Sequence, residues 1–484
     1  MSFENLKTQA IRGTFWSSIE RFSTQIVQFV LTIIMARLLT PNDYGLIGML
    51  AIFISLSQVF IDGGFSTALV QRQDRTNEDF STVFYINLSM SIFLYLILFF
   101  CAPLIAYFYK QPLLVPITRI YSLNLIINSL VAVNKTKLVI NVDFKTQSKI
   151  SLLAAILSGV LGILAALKGF GVWALVVQLL TQAVFNVIFS FWYVKWFPAK
   201  VFSIESFKKL FKFGSKLLVA QIISSIYSNI YNVVIGKRFT SSDLGFYTRA
   251  DHFAMFAGGN ISQIIQRVSF PLLSQIQDDD QRLLNVYKKY LQVVTFIIFP
   301  LIMLVFGTAK PMVLILLGEK WRGCILLLQI LCFKYMWECV IQSNLNLLYV
   351  KGRSDLVLKL EVIKKSIAFT ILAITLFFDL TVICIGQVIY ALIALYLNTI
   401  YTKKILNYGF ITQIKEILPW LILSLAIGFE GFFICNFLEN KYLAFSVAII
   451  ACIITYIGIA FLLNFEPLKE TVKLVNEKMG TRKT

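Results

Sequence analysis

The sequence predicts an all-α integral membrane protein with about fourteen transmembrane helices. Its 484 residues are 58% hydrophobic and only 14% charged, which is more hydrophobic and less charged than is typical of soluble domains. Hydrophobic runs long enough to span a bilayer recur from one end of the chain to the other. These runs are continuous rather than alternating, which argues against a β-barrel.

The predicted helices follow these runs in order, and short polar segments separate them. We expect them near residues 14–36, 44–63, 81–108, 114–134, 150–167, 170–194, 213–236, 244–266, 288–317, 321–348, 360–378, 380–402, 416–436 and 442–463.

The lysines and arginines between the runs are distributed unevenly. Thirty of the 44 lie in alternate segments that include both ends of the chain, and eight lie in the other segments. By the positive-inside rule, both termini are predicted to be cytoplasmic, and Lys135 is expected in an inner segment. The distribution also accounts for the net charge of +19 without nucleic acid, and the basic inner face is expected to attract membrane lipid.

Motifs of enzymes and metal sites are lacking in the sequence. The seven cysteines lie in or beside hydrophobic runs and form no CxxC pair, so we interpret them as reduced packing residues. His252 is the sole histidine, which excludes a histidine-based metal site. No Walker A, GxSxG or zinc-ligand spacing occurs. The sequence therefore predicts no enzyme, no catalytic residues, no metal and no cofactor.

A nine-residue stretch occurs twice. Arg37–Gly45 reads RLLTPNDYG, and Lys237–Gly245 reads KRFTSSDLG, with the threonine, the aspartate and the final glycine in register. This period is too long for a solenoid and indicates a duplicated half-protein. We expect an N-terminal six-helix lobe over 1–200, a C-terminal six-helix lobe over 201–405, and two additional helices with a basic cytoplasmic tail over 406–484. Parallel halves predict a site at their interface.

Six cations lie inside or at the ends of predicted helices: Arg21, Arg119, Lys216, Arg249, Lys310 and Lys334. A charge at the bilayer centre costs about 2.5–3.5 kcal/mol on insertion scales, so such residues usually face a wet cavity or a partner. We expect Lys216 and Lys310 to snorkel, and Lys334 to pair with Glu338 one turn away. The three arginines predict a cationic cavity, because a guanidinium binds phosphate bidentately.

Polar side chains form a stripe on the first predicted helix, and the repeat carries it forward. On the first helix its members are Ser17, Arg21, Gln25, Gln28 and Thr32. The equivalent positions of the repeat hold Gln221, Ser225, Ser228 and Asn232. The second helix has its own polar face of Ser55, Gln58 and Asp62. Such a stripe indicates either an aqueous cavity or hydrogen bonding between packed helices. Its presence in both halves favours the cavity, where Gln25, Gln28, Gln58, Gln221 and Asn232 would bond sugar hydroxyls.

Three carboxylates are candidates for ion coupling: Glu20, Asp62 and Asp251, and the sequence does not choose among them. Asp251 is also expected to pair with a cation elsewhere in the chain. Directly after Asp62, the pair Gly63 and Gly64 predicts close packing or a bend at the end of the second helix.

Five stretches in order carry a family resemblance: Ala36–Gly45, Asp62–Arg72, Gly169–Gln178, Phe270–Asp279 and Leu316–Trp321. Through them the chain resembles the Wzx-type polysaccharide flippases of the MOP (multidrug/oligosaccharidyl-lipid/polysaccharide) superfamily, in the branch of colanic acid and teichuronic acid exporters.

The resemblance implies two pseudo-symmetric six-helix lobes around a central cavity that opens alternately to each side of the bacterial inner membrane. The implied substrate is an undecaprenyl-diphosphate-linked oligosaccharide for capsule, O-antigen or exopolysaccharide, and other polysaccharide-assembly proteins are implied partners. In related lipid II flippases, cations on the first and eighth helices hold the diphosphate, and Arg21 and Arg249 match them by helix. The last two helices would hold the lipid tail.

Three other functions are weighed against this one. A drug exporter of the same superfamily would bind cations, which a cationic cavity repels. A membrane glycan polymerase or ligase needs a sizeable extracytoplasmic loop with acid and base groups, whereas the outer connections here are short. A structural scaffold would leave the buried cations unexplained.

Overall fold

Helices make up the regular structure of the described part of the chain. The computed structural model describes residues 25–468, with the side chains of 260–268, 271 and 272 excepted. The helices are α1 (Gln25–Leu38), α2 (Pro41–Asp62), α3 (Phe65–Gln71), α4 (Asn77–Tyr109), α5 (Leu114–Tyr121), α6 (Leu123–Ile140), α7 (Phe144–Leu167), α8 (Val172–Val194), α9 (Ile204–Arg238), α10 (Ser241–Ser274), α11 (Asp280–Leu316), α12 (Cys324–Val350), α13 (Ser354–Thr375), α14 (Leu380–Leu406), α15 (Phe410–Phe437) and α16 (Lys441–Leu462).

Within residues 25–468, eleven helical stretches are long and hydrophobic enough to cross a membrane. Two of them are composite, since α2 continues into α3 over Pro41–Gln71 and α5 continues into α6 over Leu114–Ile140. Helices α1, α10 and α13 coincide with predicted spans but are not among the eleven. The chain is a multipass helical membrane protein, and the count of fourteen spans stays a prediction.

Several helices begin before the hydrophobic run that predicted them. Helix α9 begins at Ile204 rather than near residue 213, and α11 begins at Asp280 rather than near 288. A side-chain cap fixes each start: Ser203 accepts a hydrogen bond from the Ser206 amide, and Asp279 accepts one from the Arg282 amide. Polar turns therefore belong to these helices, although hydropathy alone assigns them to loops.

The repeated nine-residue stretch proves to be a helix start in both copies. The Thr40 amide donates to Asp43 Oδ2 over 2.8 Å, and the Thr240 amide donates to Asp243 Oδ2 over 3.1 Å. In each copy the threonine hydroxyl accepts the aspartate amide in return, which completes a capping box.

The two copies also touch each other through their final glycines. A Cβ atom on Gly45 would lie 1.7 Å from the Ser241 carbonyl oxygen, and one on Gly245 would lie 1.9 Å from the Pro41 carbonyl oxygen. No side chain fits at such distances. The glycine in the repeated stretch is therefore required by the close approach of the starts of α2 and α10.

The chain divides into two compact units, Met1–Gly245 and Phe246–Thr484. In the first unit α2 packs on α9, and α6 lies between α4 and α8. In the second unit α11 is the central helix, since it packs against α12, α15 and α16. The predicted boundaries at 200 and 405 stay predictions.

The last two helices of the second unit differ in burial. Helix α15 lies close along α11, where Gly307 meets Gly428 backbone to backbone, and Trp420 Nε1 donates to Thr295 Oγ1 over 2.9 Å. Helix α16 is more exposed, but the Tyr456 hydroxyl donates to the carbonyl of Phe296 on α11 over 2.8 Å. The pair is thus attached to the second unit rather than merely surrounded by lipid.

Candidate functional site

A cavity of about 770 Å³, lined by both polar and hydrophobic side chains, lies in the first unit between α2, α3 and α6. Its lining residues are Gln58, Ser66, Thr67, Val70, Asn128, Ala132, Lys135, Thr136 and Val139. Gln58 was predicted to line a cavity, whereas the contribution of α6 was not. The α6 residues recur three, four or seven positions apart and so occupy one helical face.

The cation of this cavity is Lys135. Helix α6 continues to Ile140, past the end of the hydrophobic run at 134, so Lys135 lies within the helix rather than in the segment after it. Its placement on the inner side of the membrane stays a prediction. Its side chain is half-buried. Across residues 25–468, with the excepted side chains set aside, it makes no ion pair, hydrogen bond or cation–π contact. A lysine in such a place costs free energy unless it has a partner, and a bound anion would supply one.

The chain bends at the end of α2, beside the cavity, and the sequence predicted either this bend or close packing. Gly63 and Gly64 have φ angles of 53° and 76°, in the left-handed region that favours glycine. A Cβ atom on Gly64 would lie 2.5 Å from the carbonyl oxygen of Gly214 on α9, so close packing is confirmed as well. Past the bend, the Ser66 hydroxyl donates to Asp62 Oδ1. The Asp62 carboxylate is therefore already engaged at the edge of the cavity.

The polar stripe divides between the two interpretations offered for it. Ser55 contacts α9 directly, since its hydroxyl lies 3.0 Å from that of Ser225 and accepts from Asn229 Nδ2 over 2.9 Å. These three residues join packed helices. Asn229 escaped prediction, although it lies one turn beyond Ser225 on the same face.

The other members of the stripe stay predicted cavity residues. Gln25, Gln221 and Asn232 are half-buried and Gln28 is exposed. Ser17, Glu20 and Arg21 lie outside the described residues.

Arg119 lies on α5 and packs against α4. Its guanidinium carbon is 4.4 Å from the centroid of the Phe99 ring, and its Nε donates to the Phe99 carbonyl oxygen over 3.3 Å. Both contacts hold the guanidinium on one residue of α4. The assignment of Arg119 to a substrate cavity stays a prediction.

A second polar cluster lies in the second unit, where α10, α12 and α14 meet. Lys334 Nζ lies 3.1 Å from Asp251 Oδ1 and donates to Gln387 Oε1 over 2.8 Å. The Tyr335 hydroxyl donates to Asp251 Oδ1 over 2.9 Å, and Gln387 Nε2 donates to the Tyr247 hydroxyl over 3.1 Å. The expected pairing of Asp251 with a cation elsewhere in the chain is confirmed, and that cation is Lys334.

The predicted pair of Lys334 with Glu338 was wrong. Glu338 instead accepts from Gln342 Nε2 over 2.7 Å on the same helix. Lys334 is 22% exposed and Asp251 28%, so water screens their mutual attraction only in part. Arg249 is half-buried on α10, two residues before Asp251. Among the described residues, no group of three or more His, Cys, Asp or Glu side chains could hold a metal ion.

The side chains that line the cavity in the first unit can bind a ligand reversibly through hydrogen bonds and charge. The Gln58 amide can donate and accept hydrogen bonds, as sugar hydroxyls require. Asn128 Nδ2 already donates to the Asn124 carbonyl oxygen over 3.0 Å, so Asn128 offers its Oδ1 as an acceptor. Lys135 can donate three hydrogen bonds to an anion. The arrangement therefore suits a ligand that carries both hydroxyl groups and negative charge.

Several known proteins of polysaccharide biosynthesis are similar to this chain in sequence. Teichuronic acid biosynthesis protein TuaB of Bacillus subtilis is 26% identical over 356 residues, which cover 73% of each chain. Lipopolysaccharide biosynthesis protein WzxC of Escherichia coli is 25% identical over 362 residues, 74% of each chain. Succinoglycan biosynthesis transport protein ExoT of Rhizobium meliloti is 27% identical over 66% of this chain and 64% of its own.

Solved structures show the fold. Lipid II flippase MurJ in an inward closed conformation superposes with a TM-score of 0.75 at 14% identity, over 92% of this chain and 98% of that chain. An inward-facing multidrug resistance MATE family transporter of the MOP superfamily gives a TM-score of 0.61 at 17% identity, over 79% and 94%. The predicted all-helical membrane fold is confirmed.

The sequence model of the family described as "Polysaccharide biosynthesis protein" matches residues 34–326, which is more than half of the chain. The protein therefore belongs to that family of polysaccharide biosynthesis proteins.

Proposed function

We propose that this protein is a flippase that moves undecaprenyl-diphosphate-linked oligosaccharide repeat units across the bacterial inner membrane for the biosynthesis of a surface polysaccharide. Family membership supports this function, as do the relatives named for teichuronic acid, lipopolysaccharide and succinoglycan biosynthesis. The observation that carries the proposal is Lys135, a cation without a protein partner among the described residues, which lines a cavity on a helical stretch long and hydrophobic enough to cross a membrane.

In this function the cavity binds the polar part of the substrate. The Lys135 ammonium pairs with a diphosphate oxygen, and the low dielectric of the surroundings strengthens the attraction. The Gln58 and Asn128 amides bond sugar hydroxyls. Arg21, Arg119 and Arg249 are further candidates for the diphosphate, and Gln25, Gln28, Gln221 and Asn232 for the glycan. Transport by alternating access needs no covalent chemistry.

The lipid tail would bind to the second unit. An apolar groove of about 270 Å³ runs between α11, α15 and α16, and its lining includes Phe296, Pro300, Leu304, Ile453 and Ile457. Such a surface accepts a polyprenyl chain, because it offers hydrocarbon contacts and almost no polar atoms. This groove supports the role predicted for the last two helices.

Energy coupling is assigned to the cluster around Asp251. Its carboxylate is bound by a lysine and a tyrosine of α12, so a proton or sodium ion arriving there would compete with Lys334 and alter the contacts between α10 and α12. Asp62 and Glu20 remain alternative coupling residues. Both termini are assigned to the cytoplasm, and the distribution of lysine and arginine supports this orientation.

Reconstitution tests the function. Liposomes that contain the purified protein and labelled undecaprenyl-diphosphate oligosaccharide are treated with an external glycan-cleaving enzyme. We expect protein-dependent cleavage of the initially protected pool, and we expect Lys135→Gln to reduce its initial rate roughly tenfold or more because a charged contact is lost. Lys149→Gln, at an exposed lysine on α7, is the control and should transport like wild type.

Two results would each count against a different part of the proposal. The flippase function would be excluded if folded wild-type protein exposed no glycan to the enzyme after several glycans and an imposed ion gradient had been tried. Wild-type rates in Lys135→Gln would leave the flippase function in place but remove Lys135 from the site.

A multidrug exporter is the second candidate, because the fold is shared with a MATE family transporter. A drug exporter of cationic compounds would extrude ethidium from cells that express it. We expect no such extrusion, since Lys135 repels cations from the cavity.

A further inference from the structure

A separate groove in the first unit is lined mainly by aromatic rings. It has a volume of about 520 Å³ and is lined by Phe60, Gly63, Phe65, Tyr85, Ile86, Ser89, Met90, Phe93, Phe202, Phe207, Phe211 and Leu218. None of these residues lines the cavity that contains Lys135. The proposed transport path therefore leaves this groove without a role.

The packing of α9 against the bend after α2 builds the groove. The rings of Phe207 and Phe211 stack with centroids 5.4 Å apart, and both contact Phe65 at 6.1 and 6.3 Å. Three residues later, Gly214 lies against the backbone of Gly64, which brings α9 close enough to form the wall. The groove is thus a preformed surface of fixed aromatic side chains rather than a chance gap.

A row of lysines runs beside this wall. Lys208, Lys212 and Lys216 are spaced four residues apart on α9, each next to the helical face that carries Phe207 and Phe211. All three are exposed, and over residues 25–468, excepted side chains aside, none has an ion pair or a hydrogen bond from its side chain.

A neighbouring lysine shows that pairing is available on this helix. Lys209 lies 2.6 Å from Glu205. Within the described part of the chain, Lys208, Lys212 and Lys216 make no such ion pair, so the protein presents there a hydrocarbon surface flanked by unpaired positive charge.

We propose that this groove binds an anionic phospholipid of the surrounding membrane. The aromatic wall packs against one acyl chain, and the headgroup phosphate lies over Lys208 and Lys212 on the first turns of α9. Charge complementarity identifies the occupant, because a neutral or zwitterionic lipid would leave the lysine row without a net countercharge. The site is independent of the transported substrate and of the proposed function.

Lipid binding to the full-length protein tests the site. The protein is delipidated in detergent and titrated with dioleoyl-phosphatidylglycerol or dioleoyl-phosphatidylcholine, and bound lipid is counted by native mass spectrometry. We expect phosphatidylglycerol to bind more tightly to wild type. The double variant Lys208→Gln/Lys212→Gln should weaken phosphatidylglycerol binding roughly tenfold or more and leave phosphatidylcholine unchanged.

Two further variants separate the groove from general surface charge. Lys149→Gln/Lys359→Gln removes two exposed lysines elsewhere and should bind phosphatidylglycerol like wild type. Ser89→Trp places a bulky ring in the exposed lining of the groove without altering charge, and it should weaken the retention of phosphatidylglycerol while the melting temperature stays within a few degrees.

Four outcomes would overturn the proposal. These are equal affinity of wild type for the two phospholipids, unchanged binding in the Lys208→Gln/Lys212→Gln variant, an equal loss in the Lys149→Gln/Lys359→Gln control, and full lipid retention in a folded Ser89→Trp variant. Tighter binding of undecaprenyl phosphate than of phosphatidylglycerol, abolished by Ser89→Trp, would assign the groove to the lipid carrier instead.

Discussion

At the scale of single residues, the charged side chains on the candidate membrane-spanning helices have different surroundings. Lys135 lines a cavity without a protein partner among the described residues, whereas Lys334 is bound by Asp251 and Gln387. Arg119 is held over the ring of Phe99. A cation with protein partners stabilises the fold, and a cation without them is available to a ligand.

The Lys334–Asp251 pair makes a stability prediction. Lys334→Met should lower the apparent melting temperature by several degrees, because it removes the ammonium that pairs with the Asp251 carboxylate. The pair is partly exposed, so the loss should be about 1–3 kcal/mol rather than the larger value of a fully buried pair. Thermal unfolding in detergent measures it, with the exposed Lys359→Met as control.

The double variant Lys334→Met/Asp251→Leu should recover most of the loss, because no uncompensated charge remains. Additive losses in the double variant would show that the two side chains do not stabilise each other.

Sequence reasoning could identify such cations but could not assign their partners. The i, i+4 spacing of Lys334 and Glu338 is a valid pairing signal, yet side chains from α10 and α14 surround Lys334 in the fold and bind it instead. Lys135 was missed for a related reason. Hydropathy ended the helix one residue before it, and the helical face it shares with Asn128 becomes visible only when α6 is extended.

At the scale of elements, the close contact between the starts of α2 and α10 predicts that adding a single methyl group there lowers the stability of the protein. Gly45→Ala should destabilise the protein by about 1–3 kcal/mol, because its Cβ atom would overlap a backbone carbonyl that cannot rotate away. Gly458→Ala in α16 is the matched control, since a Cβ atom there meets nothing within 4 Å. It should be neutral or stabilising by up to about 1 kcal/mol.

Thermal unfolding and the yield of monodisperse protein measure both glycine variants. A Gly45→Ala protein as stable as Gly458→Ala would mean that the helix starts separate at little cost.

The groove between α11, α15 and α16 predicts a dependence on the length of the lipid carrier. Ile453→Trp should slow the flipping of the undecaprenyl-linked glycan several-fold, because Ile453 lines the groove and a larger ring would fill it. A carrier with a short prenyl chain should be less affected. Ile454→Trp is the control, since Ile454 is 66% exposed and does not line the groove.

The reconstituted assay compares both carriers in the two tryptophan variants. Equal slowing of the short and long carriers by Ile453→Trp would separate the groove from the lipid tail.

The helices themselves could be predicted from the sequence better than their ends. Hydrophobic runs of span length identified most of the described helices, because burial in lipid requires continuous hydrophobicity. Helix α3 was missed, since it begins at Phe65, after the run that ended at 63. The polar first turns of α9 and α11 were missed, since their caps depend on single hydrogen bonds rather than on composition. The cavity between α2, α3 and α6 required the tertiary structure, because three separate segments build it.

At the scale of the whole molecule, the family match and the similarity to flippase and transporter structures indicate one multipass helical protein of polysaccharide biosynthesis. The alternation of basic segments predicts its orientation. Alkaline phosphatase fused after Lys168 should be active, and the same enzyme fused after Asp74 should be inactive, because it folds only outside the cytoplasm. The reverse pattern would invert the proposed topology, and reporter expression confirmed by immunoblot is the control.

The mutual contact of the two repeated stretches has an evolutionary consequence. Each glycine abuts the opposite copy, which is the reciprocity of a symmetric dimer interface contained in one polypeptide. Such an arrangement is expected if a half-length ancestor formed dimers before its gene was duplicated and fused. Divergence would then be slowest here, because a mutation in either copy changes a surface that both copies share.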